Sequence, residues 1–324
     1  MSLAERRALF VSWIGFHGRS AGIAKALGIR SEFITGGTGP APLRYLRAWR
    51  ETARLLKRER PSTVIVMQPP IVALLCVAFR TPRSVRIIGD LHTGVFTNPK
   101  WKWALALTMR ILRRRGSAVV TGAALAERTR AYGVDVLELH DIIDEPIVVS
   151  DAPDDPKLAT VLEREYVLVP LAYSFDEPVD ALLTAAEAAP EVNWVLTGRA
   201  PEHVVTRAPE NVVFPGFVSR DDYRRLVKSA TVMAALTTQE DTMQRVGYEA
   251  LGEGKALVTS STAVLREFFA DAALYVTPDA LSIEKQVREA VRTAQLLRQR
   301  MIARRAELEQ TQQTQLAALA AVAS

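Results

Sequence analysis

A chain of 324 residues, 48% hydrophobic and 24% charged, is long enough for two domains of about 150 residues and excludes a disordered protein. Its one cysteine, Cys76, excludes an intrachain disulfide framework and fits a reducing cytoplasm. The net charge of +5 divides unevenly, because residues 1–145 hold 23 Lys and Arg against 11 Asp and Glu (+12) and the remainder holds 18 against 25 (−7). This split predicts an anionic surface or substrate for the first half, although solvated basic helix faces are a plainer alternative.

Short apolar runs alternate with amphipathic helical stretches in residues 1–145, which we predict to form the first domain. The predicted strands are Arg7–Ile14, Thr63–Met67, Val85–Ile88 and Ala118–Thr121, and the predicted helices are Arg19–Leu27, Leu43–Lys57 and Trp101–Arg113. The longest apolar stretch, Val64 to Phe79, is interrupted by Gln68 and two prolines. It therefore predicts a strand, a turn and a short helix, and no membrane-spanning segment.

The second half repeats this alternation after a linker rich in Pro and Asp at 146–160. The predicted strands are Tyr166–Pro170, Trp194–Thr197, Asn211–Phe214, Thr231–Leu236 and Ala256–Ser260, and the predicted helices are Pro178–Ala188, Asp221–Ser229, Gln244–Gly252 and Thr262–Phe269. Residues 161–281 are the predicted second domain, and 282–324 a C-terminal helical segment that packs back across the domains. Such spacing predicts an α/β protein with two Rossmann-like, doubly wound parallel sheets facing a central cleft.

A polar loop followed by a helix stands out in TTQEDTMQRVGYEALGEGKALVTSS, residues Thr237–Ser261. Asp241 lies in the loop, and Glu249 lies about two turns inside a helix that begins near Gln244. Carboxylates accept hydrogen bonds from sugar hydroxyls, helix-start amides suit phosphate, and Arg245 adds a fixed cation. The segment therefore suits a ribose, a diphosphate and a hexose. A solvated helix cap and a surface glutamate are the plainer alternatives.

The surrounding block, from NVVFPGF to TAVLREFF, resembles the donor-binding domain of family 4 and related GT-B glycosyltransferases. In that family one acid contacts the transferred sugar, and a glutamate further along contacts the ribose of the nucleotide. The resemblance assigns these roles to Asp241, with Glu240 as the neighbouring candidate, and to Glu249. The residues that would face the diphosphate are Thr242, Gln244 and Arg245.

Two positions depart from the family's pattern. Many family 4 enzymes carry Arg and Lys for the diphosphate in the first loop, where this chain has Ser174 and the acids of SFDEP. Arg199, which follows Gly198 in a Gly-containing turn, and Arg245 become the candidates to replace that pair. Lys255 and the following alanine stand where the family usually has Gly-x-Pro. The DEP pattern is closer to the chitobiosyldiphosphodolichol β-mannosyltransferase group.

Three segments of the first half, HGRS, QPP and GDLH, are similar to the GRS, QNPP and DWH segments of that group. All three follow predicted strands, where an α/β cleft collects functional groups. Gly18 would let backbone approach a ligand, Arg19 would bind an anionic group, and Asp90 or His92 would act as a base or orient the acceptor sugar. A polar loop residue is the plainer alternative for His92. The candidate residues on this acceptor side are His17, Gly18, Arg19, Ser20, Gln68, Asp90 and His92.

The resemblance leaves the stereochemistry open, because family 4 retains the anomeric configuration and the β-mannosyltransferase group inverts it. An inverting reaction needs a base, for which Asp90 and His92 are the available side chains. The sequence has no Walker loop, GxGxxG fingerprint, HExxH motif or Cys/His metal cluster, and no DxD motif in a suitable loop. We therefore expect no metal and no cofactor, with helix amides and arginine stabilising the leaving diphosphate.

The cations of the first half concentrate in two tryptophan-bearing segments, Arg44–Arg60 and Lys100–Arg115. Helices of this kind lie on anionic lipid, unless their tryptophans belong to the core. We expect a cytoplasmic bacterial protein, peripheral on the inner face of the plasma membrane, that acts on a sugar or lipid-linked acceptor in polysaccharide or glycolipid synthesis. Nucleic acid is not an expected partner, since no base-stacking module accompanies the charge.

Two other functions fit the same GT-B resemblance. One is a catalytically silent protein that serves as a membrane or partner adaptor, an alternative that the missing Arg and Lys pair leaves open. The other is a same-fold nucleotide-sugar epimerase or hydrolase, which would turn over the donor without an acceptor.

Overall fold

A computed structural model describes residues 8–143, 146, 148, 149 and 156–324. Parts of the predicted linker, residues 147 and 150–155, lie outside the described residues. The chain divides into two compact units, the first formed by Met1–Ile142 with Gln310–Ser324 and the second by Ile143–Glu309.

The first unit contains a six-stranded sheet whose order is β2-β1-β3-β4-β5-β6, with every neighbouring pair parallel. Its strands are β1 Ala8–Ser12, β2 Arg30–Phe33, β3 Thr63–Gln68, β4 Arg86–Leu91, β5 Gly116–Val120 and β6 Val136–Glu138. Its helices are α1 Gly18–Ala26, α2 Ala41–Glu59, α3 Ile71–Arg80, α4 Thr93–Thr97, α5 Pro99–Lys102, α6 Leu105–Arg115 and α7 Ala123–Arg130.

The second unit contains a six-stranded parallel sheet in the order β12-β11-β10-β7-β8-β9. Its strands are β7 Val167–Pro170, β8 Trp194–Thr197, β9 Val212–Gly216, β10 Val232–Ala235, β11 Ala256–Ser260 and β12 Ala273–Val276. Its helices are α8 Pro156–Leu162, α9 Val179–Ala188, α10 Glu202–Val205, α11 Arg220–Ser229, α12 Arg245–Gly252, α13 Ala263–Phe269 and α14 Ala280–Arg292. A last helix, α15 Ala294–Ala323, begins in this unit and ends in the first.

The central strands explain why both sheets are parallel. Every residue of β1, β3, β10 and β11 is buried, as expected when helices cover both faces of a sheet. In the first unit, α2 turns Ala48, Thr52, Leu55 and Leu56 inward at helical spacing. The predicted pair of doubly wound parallel sheets and the C-terminal helix are confirmed.

One predicted helix is wrong in its extent. Trp101–Arg113 is not one helix, because α5 ends at Lys102, with Trp103 as its C-cap, and α6 begins only at Leu105. The indole N–H of Trp103 donates to the carbonyl of Lys100 at this break. The predicted C-terminal helical segment consists of two consecutive helices, because α14 ends before Thr293, whose backbone N–H and hydroxyl both donate to the carbonyl of Glu289.

None of the helices in the described part of the chain is both long and apolar enough to cross a membrane.

Candidate functional site

A cavity of about 730 Å³ opens at the carboxyl edge of the sheet in the second unit. It lies at the point between β7 and β10 from which the strand order runs outward in both directions. Ligands of open α/β sheets bind at such switch points, and the volume is that of a small-molecule site. The lining comes from the loops after β7, β8 and β9 and from the starts of α11 and α12, and includes Ser174, Glu177, Gly198, Phe217, Tyr223 and Arg245.

Glu249 is held by side chains that line this cavity. Its carboxylate accepts a hydrogen bond of 2.5 Å from the Tyr223 hydroxyl, and the Arg245 Nε lies 3.9 Å from its other oxygen. Burial, and then the charge of Glu249, raise the pKa of Tyr223 well above its ordinary value, so the phenol stays protonated and donates. Glu249 itself is not among the cavity-lining residues and is 19% exposed. It lies one turn, not two, inside α12, because the helix begins at Arg245.

The start of α12 faces the cavity through Gln244, Arg245 and Val246. Gln244 occupies the N-cap with extended backbone, and its side chain does not cap the helix. Its amide nitrogen instead donates to the carbonyl of Leu236 at 3.0 Å, which fixes the preceding loop to the end of β10. The first turn of α12 contains no acidic residue. The positive end of the helix dipole and the Arg245 guanidinium therefore act in the same direction here.

The loop after β7 is organised by its two acids. Glu177 accepts hydrogen bonds from the backbone N–H groups of Ala172 at 3.1 Å and Ser174 at 2.9 Å. Asp176 accepts from the hydroxyls of Ser174 at 2.5 Å and Thr237 at 2.9 Å, which ties this loop to the one after β10. Both acids line the cavity where the resemblance has cations, so this side of the cavity is negative.

An exposed aromatic ring, that of Phe217, also lines the cavity. Phe217 is 79% exposed, and the Arg199 guanidinium lies 5.3 Å from the centre of its ring. Arg220, the first residue of α11, adds an exposed cation to the lining. Gly198 has a φ of +98°, and a Cβ there would stand 2.1 Å from the carbonyl oxygen of Leu171. Only glycine fits this turn, since L side chains disfavour that conformation and the space is already filled.

In the first unit, the structure brings Arg19, Asp90, His92 and His17 together. Arg19 donates to Asp90 Oδ1 at 2.9 Å, and its Nη1 also donates to Asp141 at 3.1 Å. His92 Nε2 lies 3.2 Å from Asp90 Oδ2, and the rings of His17 and His92 meet edge to face at 4.8 Å. These residues follow β1 and end β4, which places them at the carboxyl edge of the sheet.

The members of this cluster differ in their pKa shifts and in their exposure to solvent. Burial favours neutral Asp90, but the Arg19 guanidinium and His92 outweigh it and hold the pKa of Asp90 well below its ordinary value. Burial, followed by the neighbouring His92, lowers the pKa of His17. The Arg19 side chain is 1% exposed, so its guanidinium serves Asp90 and is shielded from an anionic ligand. Of the two partners of Asp90, His92, whose side chain is 22% exposed, is the one that a ligand can reach.

Comparisons with known proteins agree with this architecture. A family model described as glycosyl transferase-like matches residues 179–319. Among curated proteins, none matches the sequence significantly. HepE from Anabaena, solved in complex with UDP and glucose, is similar over 97% of this chain and 99% of its own, with 15% identity and a TM-score of 0.71.

Sucrose-phosphate synthase from Thermosynechococcus elongatus is similar over 97% of this chain and 100% of its own, with 13% identity and a TM-score of 0.69. The chain has the GT-B fold. UDP-GlcNAc 2-epimerase from Neisseria meningitidis, bound to UDP-GlcNAc, is also similar, over 91% of this chain and 94% of its own, with 11% identity and a TM-score of 0.61. The closer resemblances, to family 4 and to the β-mannosyltransferase group, stay predictions.

Other predicted residues lie apart from the cavity of this GT-B protein. Asp241 and Thr242 are half-buried in the turn before α12 and are not among the lining residues. The neighbouring acid, Glu240, accepts a 2.6 Å hydrogen bond from the N–H of Ala263 at the start of α13. Glu240 therefore serves as a helix cap, and the sugar-contacting role of Asp241 stays a prediction.

Among the remaining candidate residues of the first unit, one is exposed to solvent and two are buried. Gly18 is exposed, and a Cβ there would meet nothing within 4 Å. Ser20 is fully buried and its hydroxyl lies 3.2 Å from His17 Nδ1, so it helps to orient that ring. Gln68 is 1% exposed, and its amide donates to the carbonyl of Met67 at 2.8 Å. Gln68 therefore belongs to the buried end of β3, and its contact with an acceptor stays a prediction.

Lys255, the departure from Gly-x-Pro, has a structural explanation. Its ammonium donates to the carbonyl of Lys228 and, at 3.1 Å, to that of Ala230, so it satisfies acceptors at the C-terminal end of α11. The residue is 5% exposed, and burial is the main reason why its pKa falls to about 8. Lys255 is a buried helix cap and does not line the cavity.

Sequence reasoning missed Tyr223, Phe217 and Asp141. Tyr223 stands in the quoted block, but its contact with Glu249 depends on how α11 packs against α12. Phe217 follows Gly216, and an aromatic residue directly after a strand-ending glycine is a signal that could have been followed. Asp141 lies just beyond β6, and only its distance from Arg19 in the folded chain reveals it.

Within the described ranges, no group of three His, Cys, Asp or Glu side chains is arranged to hold a metal ion.

Proposed function

We propose that this protein is a glycosyltransferase that moves a hexose from a nucleoside diphosphate sugar to a hydroxyl acceptor. The observation that carries the proposal is the Tyr223–Glu249–Arg245 group at the switch-point cavity. It combines a fixed carboxylate, suited to vicinal hydroxyls, with a cation at a helix start, suited to phosphate. A nucleoside diphosphate presents these two features side by side.

The rest of the cavity accommodates the other parts of such a donor. The base stacks on the exposed ring of Phe217, and its ribose hydroxyls reach Glu249. The diphosphate lies at the start of α12 between Arg245 and Arg220, away from the negative loop of Asp176 and Glu177. This arrangement supports arginine in place of the Arg and Lys pair, and we expect transfer without a metal.

Transfer breaks the bond between the anomeric carbon and the phosphate oxygen and forms one between that carbon and the acceptor oxygen. The nucleoside diphosphate leaves with the bonding pair, and Arg245 and the α12 amides stabilise its charge. In an inverting reaction, His92 takes the acceptor proton while Asp90, held by Arg19, orients the imidazole. In a retaining reaction the donor phosphate takes that proton.

The acceptor side belongs to the first unit in this proposal. Its positive charge suits an acceptor that carries phosphate or is linked to lipid, and a protein that works at the inner face of a bacterial plasma membrane. Synthesis of a cell-surface polysaccharide or glycolipid would supply such an acceptor.

Thermal-shift measurement with UDP-, GDP- and dTDP-sugars tests the donor site. UDP-glucose is the first ligand to try, since HepE was also solved with it. We expect one nucleotide class to raise the melting temperature of the wild type and not that of Glu249→Ala. Glu187→Ala, which removes an exposed glutamate on α9, is the matched control and should respond like the wild type. A chain that responds to none of these sugars is not a glycosyltransferase of this kind.

An epimerase or hydrolase is the second candidate, favoured by the likeness to the Neisseria epimerase. Incubation of the protein with the stabilising nucleotide sugar alone separates the two. Release of nucleotide or formation of a new sugar without any acceptor would identify the second candidate, whereas a transferase needs added acceptor. Donor binding without turnover under any condition would indicate an adaptor.

A further inference from the structure

A second surface of the first unit combines apolar and cationic side chains. Helix α3 packs between α2 and α6, and the outer surfaces of α3 and α6 enclose a groove of about 590 Å³, here called the α3–α6 groove. Its apolar side chains are Leu75, Phe79, Leu107 and Ile111, and its cations are Arg83, Arg110, Arg114 and Arg115.

The apolar part of the groove is open to solvent. Phe79 is 76% exposed at the end of α3, where its ring packs 6.5 Å from that of Trp49, and Leu107 is 41% exposed. A large aromatic ring this exposed beside an apolar groove is a mark of an interaction surface. Arg115 belongs to the fold, since its guanidinium bonds to the carbonyls of Ala78 and Pro82. Arg83, Arg110 and Arg114 are exposed.

The segment that forms the α3–α6 groove, residues 71–116, is strongly positive. Residues 71–116 hold nine Lys and Arg and a single acid, Asp90. Asp90 is fully buried against Arg19, so the outer surface formed by this stretch presents no carboxylate. By contrast, α2 mixes its arginines with Glu51 and Glu59. An anionic partner is therefore attracted to the α3–α6 groove more strongly than to α2.

We propose that the α3–α6 groove docks on an anionic phospholipid bilayer, with Phe79 and Leu107 entering the interface and Arg83, Arg110 and Arg114 over the headgroup phosphates. Exposed aromatic and aliphatic side chains ringed by arginine match a lipid surface, where acyl chains and phosphates lie in adjacent layers. An acidic protein surface would satisfy the arginines but not the protruding ring. Of the two segments predicted to contact a membrane, this assignment keeps Lys100–Arg115, which contains α6, replaces Arg44–Arg60 by α3, and does not depend on the donor chemistry.

Cosedimentation of the full chain with vesicles tests the assignment. The two vesicle types are phosphatidylcholine alone and a mixture of phosphatidylcholine with phosphatidylglycerol. We expect the wild type to partition at least about tenfold more strongly into the mixture, and to lose that preference in high salt. Arg110→Glu combined with Arg114→Glu should weaken partitioning at least about tenfold, and Phe79→Ser should weaken it several-fold.

The matched control reverses two exposed cations of the second unit, Lys285→Glu with Arg298→Glu, and so changes net charge equally. It should partition like the wild type, and melting curves followed by circular dichroism verify that all variants are folded. Equal partitioning of the wild type into both vesicle types would overturn the proposal. The proposal also fails if the α6 variant binds as tightly as the control, because general charge would then explain the binding. Donor binding is measured without vesicles, so either proposal can fail alone.

Discussion

The hydrogen bond from Tyr223 to Glu249 joins α11 to α12 beside the cavity of the second unit. Because the phenol keeps its proton, it donates to the carboxylate at any pH near neutrality. The Arg245 Nε lies 3.9 Å from the same carboxylate, so loss of the Tyr223 hydroxyl favours a turn of the carboxylate toward that cation. In the proposed donor site, Tyr223 is therefore a positioning residue for Glu249 and does not need to touch the nucleotide sugar itself.

Tyr223→Phe tests this positioning role. A hydrogen bond to a charged group contributes about 1.5–3 kcal/mol, so we expect affinity for UDP-glucose to fall about tenfold or more in titration calorimetry. Tyr132→Phe removes a hydroxyl from a residue of the first unit that is 41% exposed, and should leave the affinity unchanged. Unaltered binding by the Tyr223 variant would mean that its hydroxyl only contributes to packing.

The sequence could indicate Glu249 and Arg245 as candidates, because the block that surrounds them is continuous along the chain, and the folded chain places them 3.9 Å apart. Arg19 shows the limit of such reasoning. Its position after β1 suggested an anionic ligand, whereas the folded chain buries it against Asp90, 71 residues away. The partner of a charged side chain is set by packing between distant elements, which a single sequence does not display.

The predicted bounds of strands agree best with the observed ones where the strand is completely buried. Trp194–Thr197 and Ala256–Ser260 were predicted with the observed bounds, since each is a short buried run between polar residues. The edge strand Arg30–Phe33 was missed because RSEF contains one apolar residue and is half-buried at most. An edge strand needs no continuous apolar run, so hydrophobic periodicity gives no signal for it.

Gly198→Ala tests the turn between β8 and α10, which forms part of the cavity. The added methyl group would stand 2.1 Å from the carbonyl oxygen of Leu171 at a φ of +98°, so the turn must move. We expect a loss of about 2 kcal/mol in unfolding free energy by urea titration and weaker UDP-glucose binding. Gly122→Ala is the control, because a Cβ there meets nothing within 4 Å and the backbone is extended. Equal stability of the two variants would contradict this account.

At the scale of the whole molecule, charge follows the division into units. Met1–Ile142 with Gln310–Ser324 holds 23 Lys and Arg against 9 Asp and Glu (+14), and Ile143–Glu309 holds 18 against 27 (−9). The sequence alone indicates this separation, because charge can be counted along the chain. It does not indicate that the uncharged end of α15 belongs to the first unit, which depends on packing of Leu319 and Ala323 in that core.

The pH dependence of the unfolding free energy tests whether the ammonium of Lys255 is buried in the folded chain. The pKa of Lys255 is about 8 in the folded protein against an ordinary value of 10.5. Below pH 8 both folded and unfolded chains bind the proton, so the cost of burying the ammonium is fully present. Between pH 8 and 10.5 only the unfolded chain binds it, so the contribution of Lys255 to the unfolding free energy rises with pH.

We therefore expect the difference in unfolding free energy between the wild type and Lys255→Met to change by about 3 kcal/mol, in favour of the wild type, as pH rises through this window. Burial raises the pKa of Cys76 and of Tyr173 to about 12, which acts in the opposite direction but equally in both proteins, and so cancels. Denaturation by urea at several pH values measures the difference. Lys285→Met, which removes an exposed lysine, should give a difference that stays constant with pH. If Lys255→Met behaves in the same way, the Lys255 ammonium is not buried in the folded chain, and its role as the cap of α11 is lost with it.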